Sequence, residues 1–250
     1  MSFSLARSLI NKHLIPQSSD LALNPPESYF YIQDGLIIAC GILYALCYIF
    51  YMIRTYRDKH ISGSVLYLAG TMAYEIYYAF TTTTTTFERL CFLIWFLLDA
   101  AFATVAIHSA YAIPERGAVR KKLVLGILAG LACLHMLCKI WPDEREQLTA
   151  YWTGIVLQLP IGWGHVYLLL TERSTKGQSL EIWVTRYLGC FVAYGVFFWR
   201  CWNVPRNWEY VGSFWSKAII VLTLIPETAY PFAYVWARNH EVEKSRSKMA

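Results

Sequence analysis

Three carboxylic acids stand inside otherwise apolar stretches of this 250-residue chain: Glu75 in AYEIYYAF, Asp99 in LIWFLLDAAFATVAIH and Glu227 in LTLIPETAYPF. At the centre of a membrane helix an acid costs at least ~2.5 kcal/mol on insertion scales, so such groups face an interior and often mark function. A carboxyl group kept out of water can serve as a general acid toward a weakly basic oxygen. Aromatic residues crowd two of the three: Tyr74, Tyr77, Tyr78 and Phe80 around Glu75, and Tyr230, Phe232 and Tyr234 after Glu227. Ring faces attract cations by ~0.5 to 2 kcal/mol each once desolvated. Acids among rings thus form a setting for proton transfer beside a stabilised cation. Pro226 and Pro231 distort the helix locally and free backbone carbonyls beside Glu227.

The elements that hold these acids follow from composition. The chain is 56% hydrophobic and 16% charged, with a mean hydropathy of +0.36, whereas soluble domains are roughly 25% charged. Its apolar residues gather in blocks of about 20, the length that crosses a ~30 Å hydrocarbon core at 1.5 Å per residue. Seven blocks fall near residues 32–53, 63–80, 90–112, 119–140, 148–170, 180–202 and 213–236, joined by short polar turns such as IPERGAVRKK and TERSTKGQS. The expectation is an all-α integral membrane protein, a single seven-transmembrane-helix bundle over residues 1–250. Helical spans satisfy every backbone amide internally, and no ten-residue alternation argues for a barrel.

Lys and Arg flanks tend to stay cytosolic. Thirteen lie on the side of loops 1–2, 3–4, 5–6 and the tail, against seven on the other. The N-terminus is therefore expected to be lumenal and the C-terminus cytosolic. This bias explains the net charge of +5 without nucleic-acid binding. The opening MSFSLARSLINKHLIPQSSD lacks the apolar core and small-residue cleavage site of a removable signal peptide. The seven cysteines show no metal-ligand spacing and read as small core residues, with a lumenal Cys91 to Cys201 disulfide left open.

Counting from the predicted lumenal ends at 1.5 Å per residue puts Glu75 ~8 Å and Asp99 ~13 Å deep, with Glu227 near the middle of its helix. All three acids can then reach one pocket in the lumenal half, with Tyr74, Tyr77, Tyr78 and Tyr230 lining it. Asp99 is either part of this acid network or a packing residue paired with a neighbouring helix. Arg186, one and a half turns into its helix, is expected to snorkel to the cytosolic face, and Arg200 to snorkel between tryptophans. His108, His135 and His165 read as hydrogen-bonded core or interface residues, the six threonines at 81–86 as a loop capping helix two, and the acids of WPDEREQ as a solvated turn.

The acid within AYEIYY, the RLCFLIWFLLD stretch and the PETAYPF segment together resemble the fungal integral-membrane terpene cyclases of meroterpenoid and indole-diterpene pathways, the group typified by the paxilline B-type cyclase. The resemblance covers nearly the whole chain in length and topology. It implies that a polyprenyl chain, carrying a terminal epoxide installed by a flavin epoxidase after an upstream prenyltransferase, is protonated and closes its rings through a carbocation cascade. The family's essential acids in the second and last helices map to Glu75 and Glu227. The last-helix acid of the pattern is often aspartate, so this chain's glutamate reaches one methylene further. The resemblance also implies an endoplasmic-reticulum location. No metal and no cofactor are expected, because the chain has neither DDxxD nor DxDD and isolated acids suit an epoxide oxygen. A bundle gives a prenylated substrate access from the bilayer and excludes water. A seven-helix receptor, a small transporter using carboxylate relays and a sterol-isomerase-like enzyme share parts of the pattern; short loops count against the first and the lack of an internal repeat against the second.

Overall fold

The computed structural model describes residues 12–142 and 147–247. Arg7, Arg145 and Lys248 of the flanking charges, the DERE acids of the WPDEREQ turn and the first eleven residues lie outside the described residues. Seven helices organise the chain: α1 (Glu27–Asp58), α2 (Leu68–Thr81), α3 (Thr86–Ala110), α4 (Ile113–Ile140), α5 (Leu148–Glu172), α6 (Leu180–Asn203) and α7 (Phe214–Ser247). Their boundaries are set by local chemistry. Pro26 precedes α1 in an extended conformation, and Lys59 ends it in the left-handed region at φ 51°. The Thr85 hydroxyl accepts from Glu88 N at 3.1 Å to cap α3, and the Ser179 hydroxyl accepts from Ile182 N at 3.3 Å to cap α6. Between α2 and α3, Thr81, Thr82 and Thr83 donate their hydroxyls to the carbonyls of Tyr77, Tyr78 and Ala79, filling the acceptors a helix end leaves open.

All of these helices except α2 are long and apolar enough to cross a membrane. The span expected near 63–80 is shorter than its hydropathy indicated. Gly63 turns the chain at φ 86°, the Ser64 side chain accepts from Leu66 N, and residues Val65–Tyr67 form a 3-10 turn before α2 begins. The 14 residues of α2 then reach only ~21 Å. Direction is nevertheless fixed by pairing. Asp99 and Phe102 of α3 meet Tyr48 and Tyr51 of α1 in the same order, so α1 and α3 run parallel and α2 carries the chain back across the bundle.

Helix α1 packs chiefly on α6 and α3, α5 packs on α7, and α2 lies between α3 and α4. The α2–α4 approach is closed by small residues: a Cβ on Gly126 or Gly130 would come within 2.9 Å of Ala69 Cβ or 2.6 Å of Ala73 Cβ. Small residues spaced by four are how helices come close without water to drive them together. Large apolar side chains such as Ile38, Leu97, Leu125 and Phe232 point outward. All seven cysteines are free thiols, so Cys91 and Cys201 form no disulfide.

Candidate active site

Asp99 has no exposed surface, and Glu75 is buried beside it. Thr71, one turn before Glu75 on the same face of α2, donates its hydroxyl to Asp99 Oδ2 at 2.6 Å. The Tyr48 phenol and the Glu75 carboxyl both lie next to the Asp99 carboxyl. Glu75 Oε2 and Asp99 Oδ1 are buried and accept from no donor. Among the described residues no basic side chain pairs with either acid. Two ionised carboxylates offer each other only acceptors, and one shared proton converts one of them into a donor. The pair can therefore hold one shared proton, and the Thr71 hydroxyl fixes Asp99 Oδ2.

Glu227 meets different chemistry. Arg186 grips it as a fork, Nε to Oε1 at 2.8 Å and Nη2 to Oε2 at 3.0 Å, with both side chains buried. Arg186 therefore does not extend to a membrane face as its position indicated. Burying one charge alone costs several kcal/mol and a hydrogen-bonded partner offsets much of it, so the nearest buried carboxylate captures the guanidinium. Arg186 Nη1 also donates to the Tyr51 hydroxyl, which in turn lies 2.9 Å from His165 Nε2. The Tyr230 ring faces the guanidinium at 5.4 Å and stacks on Trp183 at 6.3 Å.

The prolines of α7 shape this place. Pro231 and Pro226 lack the N–H that would bond the carbonyls of Glu227 and Leu222, four residues earlier. Indole donors take over both: Trp183 Nε1 to Glu227 O at 2.7 Å, and Trp163 Nε1 to Leu222 O at 3.0 Å. Room for the acid comes from α5, where a Cβ on Gly162 would meet Pro226 Cγ at 2.9 Å and Glu227 Oε1 at 3.3 Å.

The three acids thus form two clusters. Arg186 is six residues from the start of α6, so the ion pair sits ~9 Å from the end where α1 finishes and α6 begins, away from the lumenal half expected for it. Tyr48 and Tyr51, three residues apart on one face of α1, link the clusters. Tyr44, Tyr48 and Tyr51 are each only partly buried.

Of the tyrosines expected around the acids, Tyr230 joins the Glu227 cluster. Tyr74 and Tyr78 turn toward α5: Tyr74 donates to Ala150 O at 3.1 Å, and Tyr78 accepts from Thr153 Oγ1 at 3.3 Å. Tyr77 packs edge-on to Tyr78 at 5.2 Å. Sequence reasoning missed Tyr48, Thr71 and Tyr51 and gave no role here to Arg186 or His165. Signals for three of them existed: Thr71 is one helical turn from Glu75, and YIFY places Tyr48 and Tyr51 on one face. Arg200, like Arg186, is buried rather than snorkelled, with its guanidinium 4.6 Å from the Trp208 ring and Nη1 donating to Gln147 Oε1 at 2.9 Å. A shallow apolar groove of about 520 Å³ on α7, lined by Val221, Leu224, Ile225, Thr228, Ala229 and Phe232, opens outward and includes none of the acids.

Residues 19–240 match the model of the Pyr4-like transmembrane terpene cyclases. The chain belongs to this family. It is 27% identical over 239 residues to the Pyr4-family terpene cyclase mfmH of Annulohypoxylon moriforme, covering 94% of this chain and 98% of that one. Terpene cyclase macJ of Penicillium terrestre is 25% identical over 227 residues, covering 87% of this chain and 88% of that protein. Asnovolin H synthase nvfL of Aspergillus novofumigatus is 25% identical over 248 residues, covering 91% and 98%. No solved structure matches significantly. The protein is accordingly a multi-pass membrane enzyme, a terpene cyclase.

Proposed function

We propose that this cyclase protonates the terminal epoxide of a polyprenyl chain borne by a meroterpenoid or indole-diterpene precursor, and that Glu75 delivers the proton. The observation that carries this reading is the Glu75–Asp99 contact, two buried carboxyls with free acceptor oxygens and no cation between them. The proton passes to the epoxide oxygen, the C–O bond breaks, and the oxygen remains as a hydroxyl. The olefins then close the rings as each new carbocation is attacked by the next double bond. Loss of a C–H proton from the last cation leaves a product isomeric with the substrate. The Glu227 carboxylate, fixed by Arg186, is the acceptor of that proton, because a fork uses one face of the carboxylate and leaves its remaining lone pairs free. Asp99 holds the donor in place, and its remaining carboxylate charge favours the cation formed beside it.

The surrounding assignment is a seven-pass bundle in the endoplasmic-reticulum membrane. Its N-terminus is lumenal and its C-terminus cytosolic, with α2 and its 3-10 turn as the second pass. A prenyltransferase and a flavin epoxidase act upstream, and the substrate enters from the bilayer. Membranes containing the protein are incubated with an aromatic compound bearing a terminally epoxidised farnesyl or geranylgeranyl chain. The expected result is a ring-closed product of unchanged mass. Recovery of only the epoxide or its hydrolysis product, with the protein present, contradicts the reading.

A further inference from the structure

With a neutral imidazole at His165, the hydrogen bonds leaving Arg186 have a single consistent polarity. A guanidinium only donates, so the Tyr51 oxygen accepts from Arg186 Nη1 and its proton points elsewhere. The available acceptor is His165 Nε2 at 2.9 Å. On the other side of the ring, His165 Nδ1 faces the carbonyl of Ile161, which only accepts, so Nδ1 carries the hydrogen and Nε2 the lone pair. The chain reads Arg186 to Tyr51 to His165, with a neutral imidazole at its end held in one tautomer by its own helix. It commits the one guanidinium arm that the Glu227 fork leaves over. The Tyr51 ring is itself fixed by stacking on Phe102 at 5.3 Å.

We infer that Tyr51 and His165 are positioning residues for the termination step: they fix the rotation of the Arg186 guanidinium and, through it, the direction of the Glu227 lone pairs toward the last carbocation. This rests on the role given to Glu227 above. Without the imidazole acceptor, Tyr51 can turn its hydroxyl and the third arm of Arg186 loses its fixed partner. The carboxylate then swings with its fork, and neighbouring C–H protons of the same cation compete for removal. Initiation at Glu75 is unaffected, while the final deprotonation slows and loses its direction, so the signature is a changed ratio of alkene isomers beside the lowered turnover.

The test uses membranes of the full-length protein with the epoxyfarnesyl aromatic, comparing wild type, Tyr51→Phe, His165→Ala and His165→Gln. Product isomers are resolved by chromatography, and turnover is normalised to protein. Tyr51→Phe is expected to lower turnover roughly 10-fold, the worth of one hydrogen bond to a charged group, His165→Ala by less, and both to shift the isomer ratio. His165→Gln, whose amide oxygen can replace Nε2 as acceptor, is expected to restore the wild-type ratio. The isomer ratio is a property of each molecule, so poor accumulation of a variant does not obscure it. Wild-type ratios in Tyr51→Phe and His165→Ala overturn the inference, as does a Gln variant that behaves like Ala. Absence of any cyclised product from the wild type itself instead overturns the epoxide reading on which it rests.

Discussion

Glu75 and Glu88 are both buried glutamates, one in α2 and the other in the first turn of α3, and they live in opposite surroundings. Glu88 is saturated: Thr84 N donates to Oε2 at 3.0 Å, Gln147 Nε2 donates to Oε1, and Arg200 braces the other end of the Gln147 amide. With its oxygen turned toward the guanidinium, Gln33 accepts from Arg200 Nε and Nη2 at 3.0 and 2.8 Å and donates to the Tyr29 hydroxyl at 2.7 Å. Nearby, Asp20 accepts from Tyr29, Asn207 and Trp208. This network ties the segment before α1 to the ends of α3, α5 and α6. Glu75, by contrast, touches a second acid and keeps an oxygen with no donor. Both acids are buried; what separates them is the saturation of Glu88 by donors and the donorless oxygen of Glu75. Glu227 lies between the two cases, paired by a cation and packed against Gly162.

Substitutions can break this contrast in graded steps. The largest stability effect is expected from Arg186→Met, which strands the Glu227 carboxylate in the interior at a cost of about 3–5 kcal/mol. Thermal unfolding in detergent should show the loss, and the double variant Arg186→Met with Glu227→Gln should recover most of it. Failure of the second change to rescue would mean that Arg186 stabilises the bundle by packing rather than by pairing. Asp99→Asn keeps shape but cannot share a proton, so turnover per molecule is expected to fall ~10²-fold, the low end for a disabled general acid. Unchanged turnover with reduced accumulation would make Asp99 a packing residue and leave Glu75 to act alone. The smallest effect on turnover is expected at Glu88→Gln, where an isosteric amide stays inside a network of amides and the site is untouched. Turnover within about threefold of wild type is expected there, alongside a stability loss of ~1–3 kcal/mol from mismatched hydrogen bonds. A large fall in turnover per molecule would erase the distinction between the two glutamates.

Much of the candidate site was legible in the sequence because an acid in a membrane span is conspicuous. Glu75, Asp99 and Glu227 stood out as lone acids in apolar runs, and Pro226 and Pro231 announced the carbonyls that Trp163 and Trp183 occupy. The partners were harder to see. Arg186 lies close enough to its helix start to pass for a flanking charge, and only the packing of α6 on α7 turns it inward. Tyr48 and Tyr51 reach the acids across a helix contact that no local periodicity encodes. Glu88 was hidden in a polar turn, although Thr85 followed three residues later by Glu88 has the spacing of a helix-capping box. The short α2 was overestimated because hydropathy continues smoothly through Gly63 and Ser64, where backbone geometry stops the helix.

The central claim is that Glu75 is the proton donor, and Glu75→Gln tests it most directly. The amide preserves size and hydrogen bonding and removes only the transferable proton. Membranes with matched amounts of wild-type and Glu75→Gln protein are given the epoxyfarnesyl aromatic, and the isomeric cyclised product is quantified per molecule of enzyme. The expected result is a fall of ~10²- to 10⁴-fold with the protein still folded in the membrane. Near-normal turnover in Glu75→Gln would contradict the account.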